Sequence, residues 1–318
     1  MKRWIVAALA LASMPAAAQN FPTRPIRVLE PLAAASAVDT VTRIISEKMC
    51  QSLGQSLFVD NQPGAAGLLG MRAGARAQPD GYTIMAVNDS IVTVLPNMRK
   101  DAGYDPRKDF LPITLMAKLH WALIAHPSFP PNTLAEFIAY TKANPGKVDF
   151  GTGGQGSPQH LAMELLMRAA DIKLTHVPFR GVTQAYTDVV SGHVPVMFIA
   201  LPAPLQLYAD HQLKIIATAD PQRLAVLPNV PTISESGLPG FEFIAWAALM
   251  APANTPAPIV ARLNQAAVGA LRDPAINKQL TDLGYEVVGS TPDELKTILA
   301  ADFDQKATLL HEANIHAD

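Results

Sequence analysis

Ile26-Arg27-Val28-Leu29-Glu30-Pro31 opens the part of the chain that decides the fold. It is a short apolar run stopped by proline, the pattern of a buried strand. Small residues follow, Ala33 to Ala37, and then a helical pattern from about Asp39 to Gly54. Asp39 is the expected N-cap of that helix and Gly54 its stop. Ser56 to Asp60 reads as a second strand, Pro63-Gly64-Ala65-Ala66-Gly67 as a second small-residue loop, and a helix runs on to about Ala77. Thr83 to Val87 is a third strand, ending in the loop Asn88-Asp89-Ser90. This βαβαβ alternation predicts a parallel sheet covered by helices on both faces.

A second α/β unit follows. Trp121 to Ala125, Val148 to Phe150, His176 to Phe179, Val194 to Ile199 and Leu213 to Thr218 read as strands with helices between them. Phe243 to Met250 is a further apolar strand, and the chain closes with helices at 258–271, 274–283 and 292–312. The late helices have no sheet of their own and must pack on the first unit. The pattern therefore places an inserted middle unit between two extended crossings, a hinged pair suited to closure over a ligand. The expected division is 19–121 plus 247–318 for one lobe and 122–246 for the other.

The N-terminus reads as a secretory signal. Lys2 and Arg3 precede the apolar run Trp4 to Met14, and Ala16-Ala17-Ala18 offers the small residues of a cleavage site, expected after Ala18. That run is too short for a membrane span, and no later stretch is long and apolar enough for one. An exported, periplasmic protein is the expectation. The chain carries 25 Lys and Arg against 27 Asp and Glu, so neither nucleic acid nor an anionic membrane is an expected partner. Its single cysteine, Cys50, excludes an intrachain disulfide and lies in a helical pattern, where a buried, inert thiol is expected.

Gly151-Thr152-Gly153-Gly154-Gln155-Gly156 fits a G-x-G-x-x-G loop between a strand and a helix, with Ser157 as N-cap and Pro158 in the first turn. Such a loop lets backbone N–H groups approach an anion at a helix N-terminus. A dinucleotide would need an acidic residue about 20 positions on, after a second strand. The nearest, Asp171, ends a helix instead. An exported dinucleotide-dependent oxidoreductase is therefore the weaker reading and an anion-binding loop the stronger; no cofactor is expected. There is no G-x-S-x-G and no H-E-x-x-H, and the eight histidines show no ligand spacing, so no metal and no catalytic residue are assigned. His160 alone, in the first turn after the glycine loop, is placed where it could face a cleft. Three small-residue loops at strand ends suggest a neutral, amide-lined crevice for a small anion.

At this point the chain resembles a known family, the Bug-type solute receptors of tripartite tricarboxylate transporters. The resemblance runs through Phe21-Pro22-Thr23-Arg24-Pro25-Ile26, Asn61-Gln62-Pro63-Gly64-Ala65 and Gln78-Pro79-Asp80-Gly81-Tyr82-Thr83. It continues through Gly156-Ser157-Pro158-Gln159-His160, His176-Val177-Pro178-Phe179-Arg180-Gly181, Leu227-Pro228-Asn229-Val230-Pro231-Thr232 and Ala251-Pro252-Ala253-Asn254-Thr255-Pro256. It implies a type II periplasmic binding protein fold: two α/β lobes joined by a two-strand hinge, with the ligand cleft between them. It implies no catalysis and a monomer that delivers a small organic acid to the transporter's membrane subunits; a receptor feeding a sensor kinase is the alternative. Ligand carboxylates are then held by backbone amides, small hydroxyls and water.

By matching position, the first lobe's ligand-binding candidates are Ala34, Ala35, Ser36, Ala37, Asp39, Gly64, Ala65, Ala66, Asn88, Asp89 and Ser90. The second lobe's are Thr152, Gly153, Gly154, Gln155, Ser157, His160, Arg180, Gly181, Val182, Thr183, Ile199 and Ala200. Asp39 is read as a cap rather than a ligand contact. Two departures bear on the ligand. Ala35 and Ser36 stand where the family usually has paired glycines, adding methyl bulk and a hydroxyl. Ile199 stands where a polar or acidic residue is common, which favours an aromatic or apolar-bodied carboxylate over an amino acid.

Overall fold

The structure, a computed structural model, describes residues 21–99 and 101–313, so the signal sequence lies outside the described residues. Eleven strands are found there: β1 Ile26–Glu30, β2 Leu57–Asn61, β3 Thr83–Asn88, β4 Phe110–Leu119, β5 Trp121–Ala125, β6 Asp149–Thr152, β7 Thr175–Pro178, β8 Val196–Ala200, β9 Lys214–Thr218, β10 Ala245–Pro252 and β11 Tyr285–Val287. The α-helices are α1 Ala37–Leu53, α2 Leu68–Ala75, α3 Leu95–Met98, α4 Leu134–Ala143, α5 Pro158–Ala170, α6 Val182–Val190, α7 Leu205–Ala209, α8 Ala257–Leu271, α9 Pro274–Asp282 and α10 Pro292–Ala313.

These strands form two sheets, ordered β11-β4-β10-β3-β1-β2 and β7-β6-β8-β5-β9. The chain enters the second sheet through His120, the one residue between β4 and β5, and returns after β9 into β10. Two α/β lobes joined by two crossings result, as a type II periplasmic binding fold requires. The crossings touch: His120 Nδ1 lies 2.5 Å from Asp220 Oδ1, just after β9.

The sheets are mixed rather than parallel. β1 pairs in parallel with β2 and β3, but β10 runs antiparallel to β3 and β4, and β5 runs antiparallel to β8 and β9. The returning strands have no crossover helix behind them, so they insert in the opposite sense. Ten-residue β4 was not foreseen. Pro112 interrupts its pattern, and the β4/β10 register shifts beside the Met250↔Pro112 pair, where the missing N–H is absorbed.

Local chemistry sets the helix ends, with one correction. The N-cap of α1 is Ser36, whose hydroxyl accepts the Asp39 N–H; Asp39 stands one turn inside. Its carboxylate accepts instead from the Ala35 N–H, from Asn61 and from Arg43. Gly54 ends the helix at φ 71°, returning its N–H to Cys50 O. Val41, Ile45 and Met49 of α1 recur at helical spacing and are fully buried beside α8. Each contributes roughly 1.5–3 kcal/mol by leaving water. Cys50 is half-buried rather than buried, and its sulfur accepts the Leu57 N–H. Asn88-Asp89-Ser90 is likewise not a loop: Asn88 ends β3, and Ser90–Val94 is a buried π-helical turn leading into α3.

Candidate ligand-binding cleft

The ends of β1, β3, β6, β7 and β8 converge between the lobes on a cavity of about 350 Å³. Of the candidates, Ala35, Ser36, Ala37, Gly64, Ala66 and Asn88 line it from the first lobe. From the second come Gly153, Ser157, Arg180, Gly181, Val182, Thr183, Ile199 and Ala200. Ala34, Asp39, Ala65, Asp89, Ser90, Thr152, Gly154, Gln155 and His160 are not on its wall.

Most of those outside the wall are committed elsewhere. Ala34 O accepts from Thr183 Oγ1 at 2.8 Å, and Ser90 Oγ donates to Gly156 O at 2.8 Å, so both tie one lobe to the other. Thr152 Oγ1 lies 2.6 Å from His176 Nε2 and accepts the Gly154 N–H. His160 Nδ1 accepts the Gly156 N–H, which leaves its proton on Nε2, 3.5 Å from Glu164. The two imidazoles stack at 4.3 Å and brace the glycine loop from below. Burial, with His176 alongside, lowers the His160 pKa to about 4. Asp39 is pushed up by burial, but the hydrogen bonds from Arg43, Ala35 and Asn61 outweigh this and hold it below the usual range. Asp89 is buried under α10 beside Lys306 and Asp302, and burial raises its pKa to about 7. Ala65 and Gln155 are exposed at loop tips.

The Ser36 hydroxyl, expected to serve a ligand, is spent on the helix cap and on Glu30 Oε1. Glu30 is fully buried beneath that loop. Burial, then the neighbouring Asp39 carboxylate, raises its pKa well above the ordinary value, which favours the neutral acid there. Ala35 does crowd the wall, and it does so in the left-handed region, at φ 60°. Gly153 fits tightly: a Cβ there would lie 3.1 Å from the Val182 nitrogen, closer than ordinary van der Waals contact. Its bareness lets the first turn of α6 reach the cavity. That helix has no side-chain cap, since its N-cap is Gly181. Its first-turn N–H groups, which no α-helix pairs internally, therefore have no side-chain acceptor either and carry the positive end of the dipole.

Among the described residues the wall carries no Asp or Glu, and Arg180 is its one charged side chain. Ile199 is 3% exposed and apolar on the second-lobe side. Such a surface suits an anion with an apolar body. Among the described residues no group of three or more His, Cys, Asp or Glu is placed to hold a metal, and no helix is long and apolar enough to cross a membrane.

Leu119, Trp121, Gln159 and Tyr186 also line the cleft and were not foreseen. Tyr186 stands one helical turn after Val182, so helical spacing from the Arg180–Thr183 loop could have found it. Leu119 and Trp121 lie on the strands of the crossing, where no loop signal marks them.

The fold is shared with solved binding proteins. The periplasmic binding protein BugD is 32% identical with a TM-score of 0.90, over 94% of this chain and 100% of its own. MatC from Rhodopseudomonas palustris, with bound malate, is 33% identical with a TM-score of 0.87, over 91% and 100%. A second R. palustris protein, with adipate, is 28% identical with a TM-score of 0.90, over 93% and 99%. These define the class, a two-lobed solute-binding receptor. The chain belongs to the tripartite tricarboxylate transporter receptor family, TctC, whose model matches residues 41–315.

Proposed function

We propose that this chain captures a small organic carboxylate with an aromatic or apolar body in the periplasm and presents the closed form to the membrane subunits of a tripartite tricarboxylate-type transporter. The observation that carries the reading is the wall of the cleft. Among the described residues it combines one guanidinium, Arg180, with the uncapped start of α6 and the apolar Ile199, and it carries no acid. A carboxylate seats at the cation and the free N–H groups, while the ammonium of an amino acid would find no anionic partner. The relatives with malate and adipate support a carboxylate, and adipate supports a methylene body. Binding and closure, rather than catalysis, are the proposed work of the site, with ligand-contact roles for the lining candidates. The proposed lobes are 19–121 plus 247–318 and 122–246, and the mature chain starts at residue 19.

The test is a thermal-shift screen of residues 19–318 against mono- and dicarboxylates, aliphatic and aromatic, with amino acids included. A ligand that binds only the folded state raises Tm by mass action. Shifts confined to carboxylates with apolar bodies are expected. Shifts confined to amino acids would overturn the reading.

A further inference from the structure

Gln159 brings an uncommitted carboxamide to the cleft. It stands in the first turn of α5, lines the cavity and is 6% exposed. Its neighbours in that turn are committed: the Ser157 hydroxyl accepts the His160 N–H, and His160 Nδ1 accepts the Gly156 N–H. Among the described residues the Gln159 carboxamide makes no hydrogen bond, and its atoms are not among those buried from water without a partner. Water therefore reaches it, and for a residue so little exposed on a cavity wall that water is the cavity's. A wet, unpaired carboxamide offers a ligand both a donor and an acceptor.

The backbone fixes which part of a ligand this group meets. Gly153 follows β6, and β6 lies between β7 and β8 in the sheet. The parallel pairs Thr152↔Pro178 and Phe150↔Val196, continued along the strands, bring Gly153 level with Phe179 on one side and Ile199 on the other. Arg180 and the start of α6 come directly after Phe179. The carboxylate seat and the apolar wall therefore lie one strand spacing, about 4.8 Å, to either side of Gly153. Gln159 belongs to that middle position. A Cβ on Gly153 would lie 3.1 Å from the Val182 nitrogen and 3.4 Å from Gln159 Oε1, so the first turn of α6 and the carboxamide oxygen flank the same point. In the receptor reading, the carbon that joins the ligand's carboxylate to its apolar body passes here.

We propose that Gln159 is a specificity-determining residue: it selects, among apolar-bodied carboxylates, those with a hydroxyl on the carbon next to the carboxylate. This rests on the receptor reading above. The carboxylate is held at Arg180 and the start of α6, and the adjacent hydroxyl donates to Gln159 Oε1. An acceptor oxygen beside the seat of an anion is unfavourable unless a donor stands between them, and the hydroxyl is that donor. An unsubstituted acid strips water from the carboxamide and gives nothing back. An amino acid would bring a desolvated ammonium to a neutral oxygen on a wall without an acid.

Calorimetric titration of the wild type and Gln159→Met tests this with two matched pairs, 3-phenyllactate against 3-phenylpropanoate and 2-hydroxyhexanoate against hexanoate, and with phenylalanine. Whichever pair binds decides. The wild type is expected to prefer the hydroxy acid by about fivefold, the net worth of one hydrogen bond. Gln159→Met keeps the length of the side chain and is expected to abolish that preference by weakening the hydroxy acid alone. Equal wild-type binding within the pair, or no effect of the substitution, would overturn the proposal and leave the receptor reading standing. So would equal weakening of both acids, which would make Gln159 a carboxylate ligand instead. Phenylalanine as the tightest ligand, or binding of neither pair, would overturn both. If Gln159→Met does not fold, 2-fluoro-3-phenylpropanoate and 2-fluorohexanoate on the wild type carry the test: fluorine nearly matches the hydroxyl in size but donates nothing, so each must bind no better than its unsubstituted acid, and binding as tight as the hydroxy acid's would overturn the proposal.

Discussion

Thr183 Oγ1 donates to Ala34 O at 2.8 Å across the mouth of the cleft, from the first turn of α6 in one lobe to the loop after β1 in the other. With Ser90 Oγ on Gly156 O, it is one of two side-chain hydrogen bonds among the described residues that join the lobes beside the cavity. Both require the lobes to be shut, so both favour the closed form.

Removing the outer bond should cost affinity and leave the fold intact. Thr183→Val keeps the side-chain shape and loses the donor. A net hydrogen bond is worth about 1 kcal/mol, or roughly fivefold in Kd. Stopped-flow binding should show the loss mainly as faster dissociation, and Tm without ligand should be unchanged because Thr183 is exposed.

Ile199→Asp places a carboxylate in the apolar part of the wall, where the residue is 3% exposed. Carboxylate affinity is expected to fall by at least ~100-fold through desolvation and like-charge repulsion. Calorimetry on the folded variant checks it. Unchanged affinity would mean that the ligand never meets this wall.

His160 makes stability pH-dependent on the acid side. Its pKa falls from 6.5 to about 4 on folding, through burial and the neighbouring His176. Between those values the unfolded chain binds a proton that the native one refuses, so stability drops as pH falls through that window. The full effect is at most ~3 kcal/mol. His160→Gln should flatten the fall in urea-unfolding free energy between pH 6.5 and pH 4.

Asp89 acts in the opposite direction. Burial raises its pKa from 3.8 to about 7, despite the nearby Lys306. As pH rises between those values the unfolded chain releases a proton that the native one keeps, and stability falls. Asp89→Asn should therefore be more stable than wild type at pH 8, by ~2–4 kcal/mol at most, and the two should converge near pH 4. Urea titrations at both pH values decide it.

The α/β alternation, the small-residue loops and most strand positions were legible because they rest on periodicity and turn chemistry, which are properties of neighbours in the chain. The N-cap of α1 was not. Ser36 and Asp39 are both capping residues three apart, and the choice falls to Ser36 because Asn61, at the end of β2, and Arg43 hold the Asp39 carboxylate inside the helix. Asn88-Asp89-Ser90 reads as a polar loop, yet α10 and the second lobe supply its partners.

The family motifs, the repeated strand–loop–helix order and the apolar Ile199 are carried by the sequence alone, and they suffice for a two-lobed receptor with a neutral cleft. Tertiary structure alone decides which polar groups face that cleft unpaired. Ser36 is consumed by Glu30 and a helix end, His160 by the glycine loop, and Thr183 by the opposite lobe. Trp121, which reads only as an apolar strand residue, ends with its Nε1 buried and without a partner among the described residues. The reason is physical: a hydrogen-bond partner is set by distance in space, and here the partners come from segments that the sequence keeps far apart.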